Sequence, residues 1–241
     1  MARERRDGRA VDELRAVKIT TKYLNTVPGA VLIEVGQTRV ICTVSVEDRV
    51  PPFLVGKGGG WLTAEYGMLP GSSDRRIARE SSTGKVNGRT REIQRLIGRS
   101  LRSIIDLENL GERTISIDCD VIQADGGTRT ASITGAYVAL VEAVNELTAE
   151  GVLDQNPLID AAAAVSVGVV GDRVLLDLCY EEDVQAQTDM NLVMTGSGGI
   201  VEVQGTAEGR PFTRLEAEQM LDMGSKGIRE LLALQEVVLK R

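Results

Sequence analysis

Three groups of residues in this chain are suited to chemistry on phosphate groups, and the first is a glycine-rich turn. Residues 125–130 read Asp-Gly-Gly-Thr-Arg-Thr and join a strand-like run to a helix-like run. Such a turn presents backbone N–H groups at the positive end of a helix, which favours an anion. Arg129 adds a planar, always charged guanidinium. The segment therefore predicts phosphate recognition, although a tight structural turn with an exposed arginine is the simpler alternative.

The second group lies in residues 75–102, which carry eight arginines and one lysine against two glutamates. Arg89 follows Gly88 at a predicted helix start, where it can close on the same phosphate as Arg129. Like charges at one-turn spacing repel by roughly a few tenths of a kcal/mol per pair, so a stripe of them favours a facing anion. That anion is either RNA or the acidic side chains of a neighbouring subunit, and a solvated helix face is the alternative. The stripe consists of Arg91, Arg95, Arg99 and Arg102.

The third group is a set of aspartates spaced six residues apart, Asp177, Asp183 and Asp189. Asp183 lies in an acidic segment at 180–183 that is predicted to be a turn, and Asp189 begins a predicted strand. Two carboxylates across such a junction can hold one Mg²⁺, which keeps several waters and favours phosphate oxygens. The pattern favours a metal site at Asp183 and Asp189, with ordinary surface acids as the alternative.

The composition limits the remaining chemistry. The 241 residues contain no histidine, which excludes Ser-His-Asp and Cys-His nucleophile systems and His-ligated zinc. Three widely separated cysteines predict a reduced, cytoplasmic setting, and no apolar run approaches membrane-spanning length. The net charge is −7, so the basic segment 75–102 is a local site for a polyanion in an acidic protein. Aromatic residues make up 3% of the chain, too few for base stacking to dominate binding.

Hydrophobic patterns predict the elements of the first half that position these groups. Residues 31–46 predict a β-hairpin, and residues 51–85 predict a long loop with an ordered island at 61–68. A helix is predicted from Thr90 to Leu107. Its apolar face is predicted to be Ile93, Leu96, Ile97, Leu101, Ile104 and Ile105.

A strand at 114–124 alternates apolar and polar residues and leads into the glycine-rich turn, after which a helix is predicted to continue to Gly151. The second half has a similar order, which suggests an ancestral duplication with halves at about 14–150 and 160–241. Its predicted elements are a hairpin at 164–179, strands at 190–195 and 200–204, and a helix at 213–239 that can break near Gly224 or Gly227.

Five motifs of this chain resemble those of ribonuclease PH, a family of phosphate-dependent 3′-to-5′ exoribonucleases. They occur in the same order as in the family. Together they span most of the chain. They are Gly-Trp-Leu-Thr-Ala-Glu-Tyr-Gly-Met-Leu-Pro at 60–70, Gly-Arg-Thr-Arg-Glu-Ile-Gln-Arg-Leu-Ile-Gly-Arg at 88–99, Asp-Cys-Asp-Val-Ile-Gln-Ala-Asp-Gly-Gly-Thr-Arg-Thr at 118–130, Thr-Asp-Met-Asn at 188–191, and Val-Gln-Gly-Thr-Ala-Glu-Gly at 203–209.

The resemblance implies an α+β fold of duplicated βαβα units, with mixed sheets packed with helices, as in the second domain of ribosomal protein S5 and in exosome ring subunits. Residues 1–241 would form a single catalytic unit. It also implies a homohexamer built as a trimer of dimers, a cytoplasmic location, and 3′ processing of RNA, chiefly transfer RNA precursors.

The resemblance also implies roles for particular residues. The phosphate site maps onto Arg89, Gly127, Thr128 and Arg129, and the acidic site onto Asp183 and Asp189, which would bind Mg²⁺ or Mn²⁺ or handle the proton. RNA contacts map onto Arg76 and Arg79, with the basic stripe at Arg95 and Arg99 alongside. Two departures from the family pattern, Gly71 and Asp74, predict a weaker or displaced grip on RNA.

The implied reaction is phosphorolysis, in which phosphate attacks the last internucleotide linkage and a nucleoside diphosphate leaves. Hydrolysis, with water in place of phosphate, is one rival interpretation. A catalytically silent RNA-binding ring subunit is another, although such subunits lose parts of the phosphate and acidic sites that this chain keeps.

Overall fold

The structure, a computed structural model, describes residues 5–240, except for the side chains of residues 81 and 83. Over this range, strands and helices follow one another in a mixed order. They are β1 (Val17–Thr20), β2 (Gly29–Val35), β3 (Thr38–Glu47), β4 (Trp61–Met68), α1 (Glu80–Thr83), α2 (Gly88–Arg102), β5 (Thr114–Gln123), α3 (Thr128–Ala149), β6 (Ala162–Val170), β7 (Arg173–Leu176), α4 (Tyr180–Gln185), β8 (Thr188–Thr195), β9 (Ile200–Ala207) and α5 (Arg214–Leu239).

The first sheet contains five strands in the order β1-β2-β3-β5-β4, with β4 parallel to β5 and the other pairs antiparallel. The predicted hairpin is confirmed as β2 and β3, joined at Gly36, whose φ of +57° suits a residue without Cβ. The predicted alternation in β5 is also confirmed, since Ile115, Ile117, Cys119 and Val121 are buried and the polar residues between them are not. The ordered island at 61–68 is the edge strand β4.

Helix α2 begins and ends earlier than predicted. It covers Gly88–Arg102, and the predicted continuation to Leu107 is wrong. Beyond the helix the chain turns to meet the segment after α3, where Ile105 bridges Leu158 and the Ile159 N–H donates to the Ile104 carbonyl at 2.9 Å. The hydrophobic spacing continues past the last helical residue, Arg102, because Ile104 and Ile105 are buried although they lie outside the helix. All six residues of the predicted apolar face are buried.

The second sheet is antiparallel, in the order β7-β6-β8-β9, and α5 packs across it. The suggested break in this helix is wrong, because α5 is continuous. A Cβ at Gly224 would lie 2.8 Å from the Leu192 side chain, and one at Gly227 would lie 2.8 Å from Leu176. The two glycines therefore let the helix approach the sheet closely. The acidic turn predicted at 180–183 is instead the first part of the short helix α4.

Helix α3 lies between the two sheets and is buried on most of its circumference, because it packs on β2 and β3 on one side and on β6 on the other. The predicted fold class, α+β with mixed sheets packed with helices, is confirmed. The suggested duplication of the two halves stays a prediction. Among residues 5–240, no helix is both long enough and apolar enough to cross a membrane.

Replacing Gly29 by alanine is expected to lower the free energy of unfolding by about 2 kcal/mol or more, because overpacking a closed contact strains the backbone. The added Cβ would lie 2.0 Å from the Ala139 carbonyl oxygen of α3. Gly71→Ala is the control, since a Cβ there meets no described atom within 4 Å, and it should change stability by less than about 0.5 kcal/mol. Urea denaturation measures both, and an equal effect of the two changes would contradict this packing.

Candidate active site

The glycine-rich turn forms the connection between β5 and α3 through two consecutive left-handed residues. Gly126 has a φ of +73° and Gly127, the N-cap of α3, a φ of +64°. A Cβ on Gly126 would lie 2.7 Å from the Leu178 carbonyl oxygen, and one on Gly127 would lie 2.8 Å from Arg15 Nη2. Neither position therefore accepts a side chain without movement of its surroundings. The turn presents the N-terminus of a 22-residue helix, whose first N–H groups have no acceptor within the helix.

Thr128, the first residue of α3, is joined to a residue that sequence reasoning did not assign to the site. Its Oγ1 lies 2.8 Å from the hydroxyl oxygen of Tyr66 on β4, and both side chains are buried. Burial raises the pKa of Tyr66, while the hydrogen bond to Thr128 and the positive charges of Arg89 and Arg129 act in the opposite direction. Tyr66 therefore holds the Thr128 hydroxyl and lies within the field of both arginines.

The two arginines predicted to bind phosphate act on the same groups although they belong to different helices. Besides Tyr66, both lower the pKa of Asp183 against the larger effect of burial. Arg129 is also anchored, because its Nη1 donates to Glu92 Oε1 at 3.1 Å and to Gln204 Oε1. The structure thus brings Arg89, Arg129 and Asp183 to one end of α3.

The predicted acidic pair lies at this same place. Asp183 lies on α4 and is exposed, whereas Asp189 lies on β8 and is partly buried. Burial raises the pKa of Asp189, and the negative charge of Asp183 raises it further, whereas Arg129 lowers it. The pKa of Asp183 is raised mainly because its carboxyl is partly shielded from water by the surrounding chain. Asp183 is therefore close enough to Asp189 for its negative charge to disfavour ionisation of the Asp189 carboxyl, as in a site built to receive a cation.

Asp177, the first aspartate of the spaced set, is in a different environment. It is buried and its carboxylate pairs with Arg15 on two atoms, Nη2 to Oδ1 at 2.7 Å and Nε to Oδ2 at 3.0 Å. A buried, bidentate partner leaves this carboxylate a structural ion pair rather than a metal ligand.

The oxygen donors that this site offers a divalent ion are two carboxylates, Asp183 and Asp189. Within residues 5–240, no cluster of three or more Cys, Asp or Glu side chains is arranged to hold a metal. Asp183 and Asp189 nevertheless suit Mg²⁺, because that ion usually takes one or two carboxylates and completes its shell with water and substrate phosphate oxygens. The residues therefore fit a metal that is held jointly with a phosphate substrate.

The basic stripe of α2 is only partly open to solvent. Arg91, Arg95 and Arg99 are exposed, and Arg99 also pairs with Glu202 of β9. Arg102 turns back, donating to the Leu62 carbonyl at 2.9 Å with its guanidinium 5.4 Å from the centre of the Trp61 ring. Acidic partners for the stripe thus come partly from this chain itself. Arg76 and Arg79 are exposed in the segment before α1.

Comparisons with known proteins agree with this fold and identify the family of the chain. The model of the 3′ exoribonuclease family, domain 1, matches residues 13–145, and that of domain 2 matches residues 160–227. The chain therefore belongs to the 3′ exoribonuclease family. The resemblance to the ribonuclease PH family inferred from the motifs is confirmed.

Several solved structures share the fold. Rice (Oryza sativa) Rrp46 is 21% identical with a TM-score of 0.80, over 98% of this chain and 100% of that one. A chain of the Archaeoglobus fulgidus exosome with RNA bound to the active site is 21% identical with a TM-score of 0.78, over 95% and 92%. A chain of an archaeal exosome core is 20% identical with a TM-score of 0.74, over 97% and 91%. At these identities the likeness shows the fold alone.

The acidic pair should lower stability in the absence of ligands. A carboxyl whose pKa is raised by folding binds its proton more tightly in the folded state, so stability falls as pH rises through the window between the ordinary and the raised value. Asp189→Asn should therefore raise the melting temperature at pH 7 in phosphate-free EDTA buffer, and the gain should shrink as pH falls toward the ordinary carboxyl range. Asp172→Asn, an exposed turn change, is the charge-matched control. A gain that does not depend on pH would contradict this assignment.

Proposed function

We propose that this protein removes 3′-terminal nucleotides from RNA by phosphorolysis and releases nucleoside diphosphates. The observation that carries the proposal is that the N-terminus of α3, with the Thr128 hydroxyl bonded to Tyr66, lies beside the anchored guanidinium of Arg129. Arg89 is near enough to the same place to lower the pKa of both Tyr66 and Asp183. Two polyanions, RNA and phosphate, must meet in such a site, and two arginines with a helix N-terminus supply the positive charge they need. Membership in the 3′ exoribonuclease family supports the same reaction.

In the proposed reaction, inorganic phosphate lies on the N–H groups of Gly127 and Thr128 and on the Thr128 hydroxyl, between the guanidinium groups of Arg89 and Arg129. One phosphate oxygen attacks the last internucleotide phosphorus in line. The bond from that phosphorus to the 3′ oxygen of the preceding nucleotide breaks, and this oxygen takes up a proton. Asp183 is the proposed proton handler, because it lies with Arg89 and Arg129 at this end of α3.

Mg²⁺ or Mn²⁺ would be held by Asp183 and Asp189, and it would supply positive charge against the phosphate oxygens of the transition state. Tyr66 would keep the Thr128 hydroxyl in place through their 2.8 Å hydrogen bond. Glu92 and Gln204 would fix the orientation of the Arg129 fork, since both accept hydrogen bonds from its Nη1.

The RNA would approach along the exposed basic residues Arg76, Arg79 and Arg95, with Arg99 partly neutralised by Glu202. Transfer RNA precursors are the proposed main substrates. A homohexamer built as a trimer of dimers, working in the cytoplasm, is the proposed form. These finer assignments rest on the motif resemblance to ribonuclease PH.

The test is to incubate short RNA with ³²P-labelled phosphate and Mg²⁺ and to separate the products. Phosphorolysis predicts label in nucleoside diphosphates and a rate that depends on phosphate. Unlabelled nucleoside monophosphates formed without phosphate would establish hydrolysis instead.

A catalytically silent ring subunit is the second candidate, favoured by the fold it shares with exosome chains. A silent subunit would bind RNA in the same experiment and release no nucleotide of either kind. An active enzyme is favoured, because the chain keeps the residues of both the phosphate site and the acidic site: Arg89, Thr128, Arg129, Asp183 and Asp189.

A further inference from the structure

We propose that Arg5 is a positioning residue for Asp183, because an arginine-rich arm at residues 5–15 fixes the short helix α4 against the glycine-rich turn. This inference rests on the proposed function, in which Asp183 handles the proton. Arg5 lies before the first residue matched by the family model. It touches neither the proposed phosphate site nor the acidic pair.

The contact between the arm and α4 is a buried, bidentate ion pair. Arg5 Nε donates to Glu182 Oε1 at 2.8 Å, and Arg5 Nη2 donates to Glu182 Oε2 at 2.7 Å. The Arg5 side chain is 1% exposed and that of Glu182 is 12% exposed. Glu182 immediately precedes Asp183, so the pair acts next to the proposed proton donor. A fork held on two atoms restricts rotation as well as distance.

Glu182 also closes the start of α4, since its Oε2 accepts the Cys179 N–H at 3.1 Å. Helix α4 has six residues, and none of them is buried. A helix this short gains little stability from its own hydrogen bonds. The position of Asp183 therefore depends on what holds α4 from outside. Arg5 makes the closest contact with Glu182, while Arg9 Nη2 lies 3.6 Å from the same carboxylate.

The same arm contacts the glycine-rich turn through a second buried ion pair, that of Arg15 with Asp177. Arg5 Nη2 donates to the Asp177 carbonyl at 3.0 Å, while Arg15 binds the Asp177 carboxylate. Arg15 Nη1 also donates to the Asp125 carbonyl at 2.6 Å, directly before Gly126. Asp177 adopts a φ of +52°, an unfavourable conformation for a residue with a side chain, which the surrounding bonds must maintain. The arm thus ties the chain before α4 to the chain before α3.

The chain contains a matched control for the Arg5–Glu182 pair. Arg6 pairs with Glu181, so the neighbouring arginine of the arm meets the neighbouring glutamate of α4. Their side chains are 78% and 49% exposed, and the pair has a single ion contact. An exposed pair of this kind contributes little to stability or geometry.

The test compares Arg5→Ala, Glu182→Gln and the double variant with Arg6→Ala in steady-state phosphorolysis of a short RNA. We expect Arg5→Ala to lower kcat roughly tenfold, because small misplacements of a reacting group are costly, and to leave KM for phosphate within about twofold, because the phosphate ligands lie on α2 and α3. The double variant should lose no more than the worse single variant. Arg5→Lys should recover part of kcat, and Arg6→Ala should match the parent.

Hydrogen exchange of the same variants separates positioning from a general loss of stability. Arg5→Ala should speed exchange in α4 and leave α3 unchanged. An unchanged kcat in Arg5→Ala, or an equal loss in Arg6→Ala, would overturn the inference, as would a rise in KM for phosphate in place of the fall in kcat. If the parent protein forms no nucleoside diphosphate, the proposed function fails. The contact is then judged by exchange alone, and unchanged exchange in α4 overturns it.

Discussion

Replacing Arg129 by alanine is expected to lower kcat/KM for phosphate by about 100-fold or more, since one donor to a transition-state oxyanion has an effect of this size. Arg129 follows the first residue of α3, and its Nη1 is tied to Glu92 and Gln204. The guanidinium is therefore held in place before phosphate arrives. Its removal takes away a charge and a planar fork together, so Arg129→Lys should recover only part of the activity.

Arg89→Ala should show a loss of the same order, because Arg89 is the other charge acting on Tyr66 and Asp183. The double variant Arg89→Ala with Arg129→Ala should lose less than the product of the two single losses, since both bind one ion. Arg91→Ala is the matched control, an exposed arginine two residues further along α2. The measurement is initial rate against phosphate concentration at saturating RNA. Near-normal phosphate dependence in both single variants would refute a shared phosphate site.

Asp183→Asn is expected to lower kcat by about 100-fold or more while KM for phosphate changes little, because a positioned proton donor contributes about 10²–10⁴-fold. The amide keeps the size of the side chain and removes its titration. Glu181→Gln, an exposed change on the same helix, is the control for altered charge on α4. A parental kcat in Asp183→Asn would exclude this carboxyl from the reaction.

Comparing Asp189→Asn with Asp183→Asn distinguishes metal binding from proton transfer at the acidic pair. A residue that only binds metal should lose activity that returns in part at high Mg²⁺ or Mn²⁺, because mass action refills a weakened site. Loss of a proton donor cannot be restored in this way. Recovery of Asp189→Asn but not of Asp183→Asn is therefore expected when the metal is titrated. The reverse pattern would exchange the two roles.

The spacing of hydrophobic residues correctly predicted those elements that have one buried face and one open face. The alternation of β5 follows directly from one buried face and one open face, and the turn at 125–130 required glycines for a conformation with positive φ. The end of α2 was missed because Ile104 and Ile105 stay buried after the helix stops, so hydrophobicity does not mark the boundary. The helical nature of α4 was missed because tertiary bonds from the arm, rather than propensity, hold it.

The candidate site was predictable where a charged residue stands next to a glycine at the start of a helix, as at Arg129 and at Arg89. Tyr66 was not assigned, because its alternation in β4 is that of any core residue and only the structure shows its hydroxyl against Thr128. Asp177 shared the spacing of Asp183 and Asp189, yet its partner Arg15 is remote in sequence. Spacing alone therefore grouped a structural ion pair with the acidic site.

A crystal structure of the protein with bound phosphate tests the central claim most directly. It should show one phosphate ion within hydrogen-bond distance of both the Arg89 and Arg129 guanidinium groups and of the Thr128 hydroxyl, all from the same subunit. A phosphate held by only one of these arginines, with the other turned away and no second chain supplying a cation, would contradict the account.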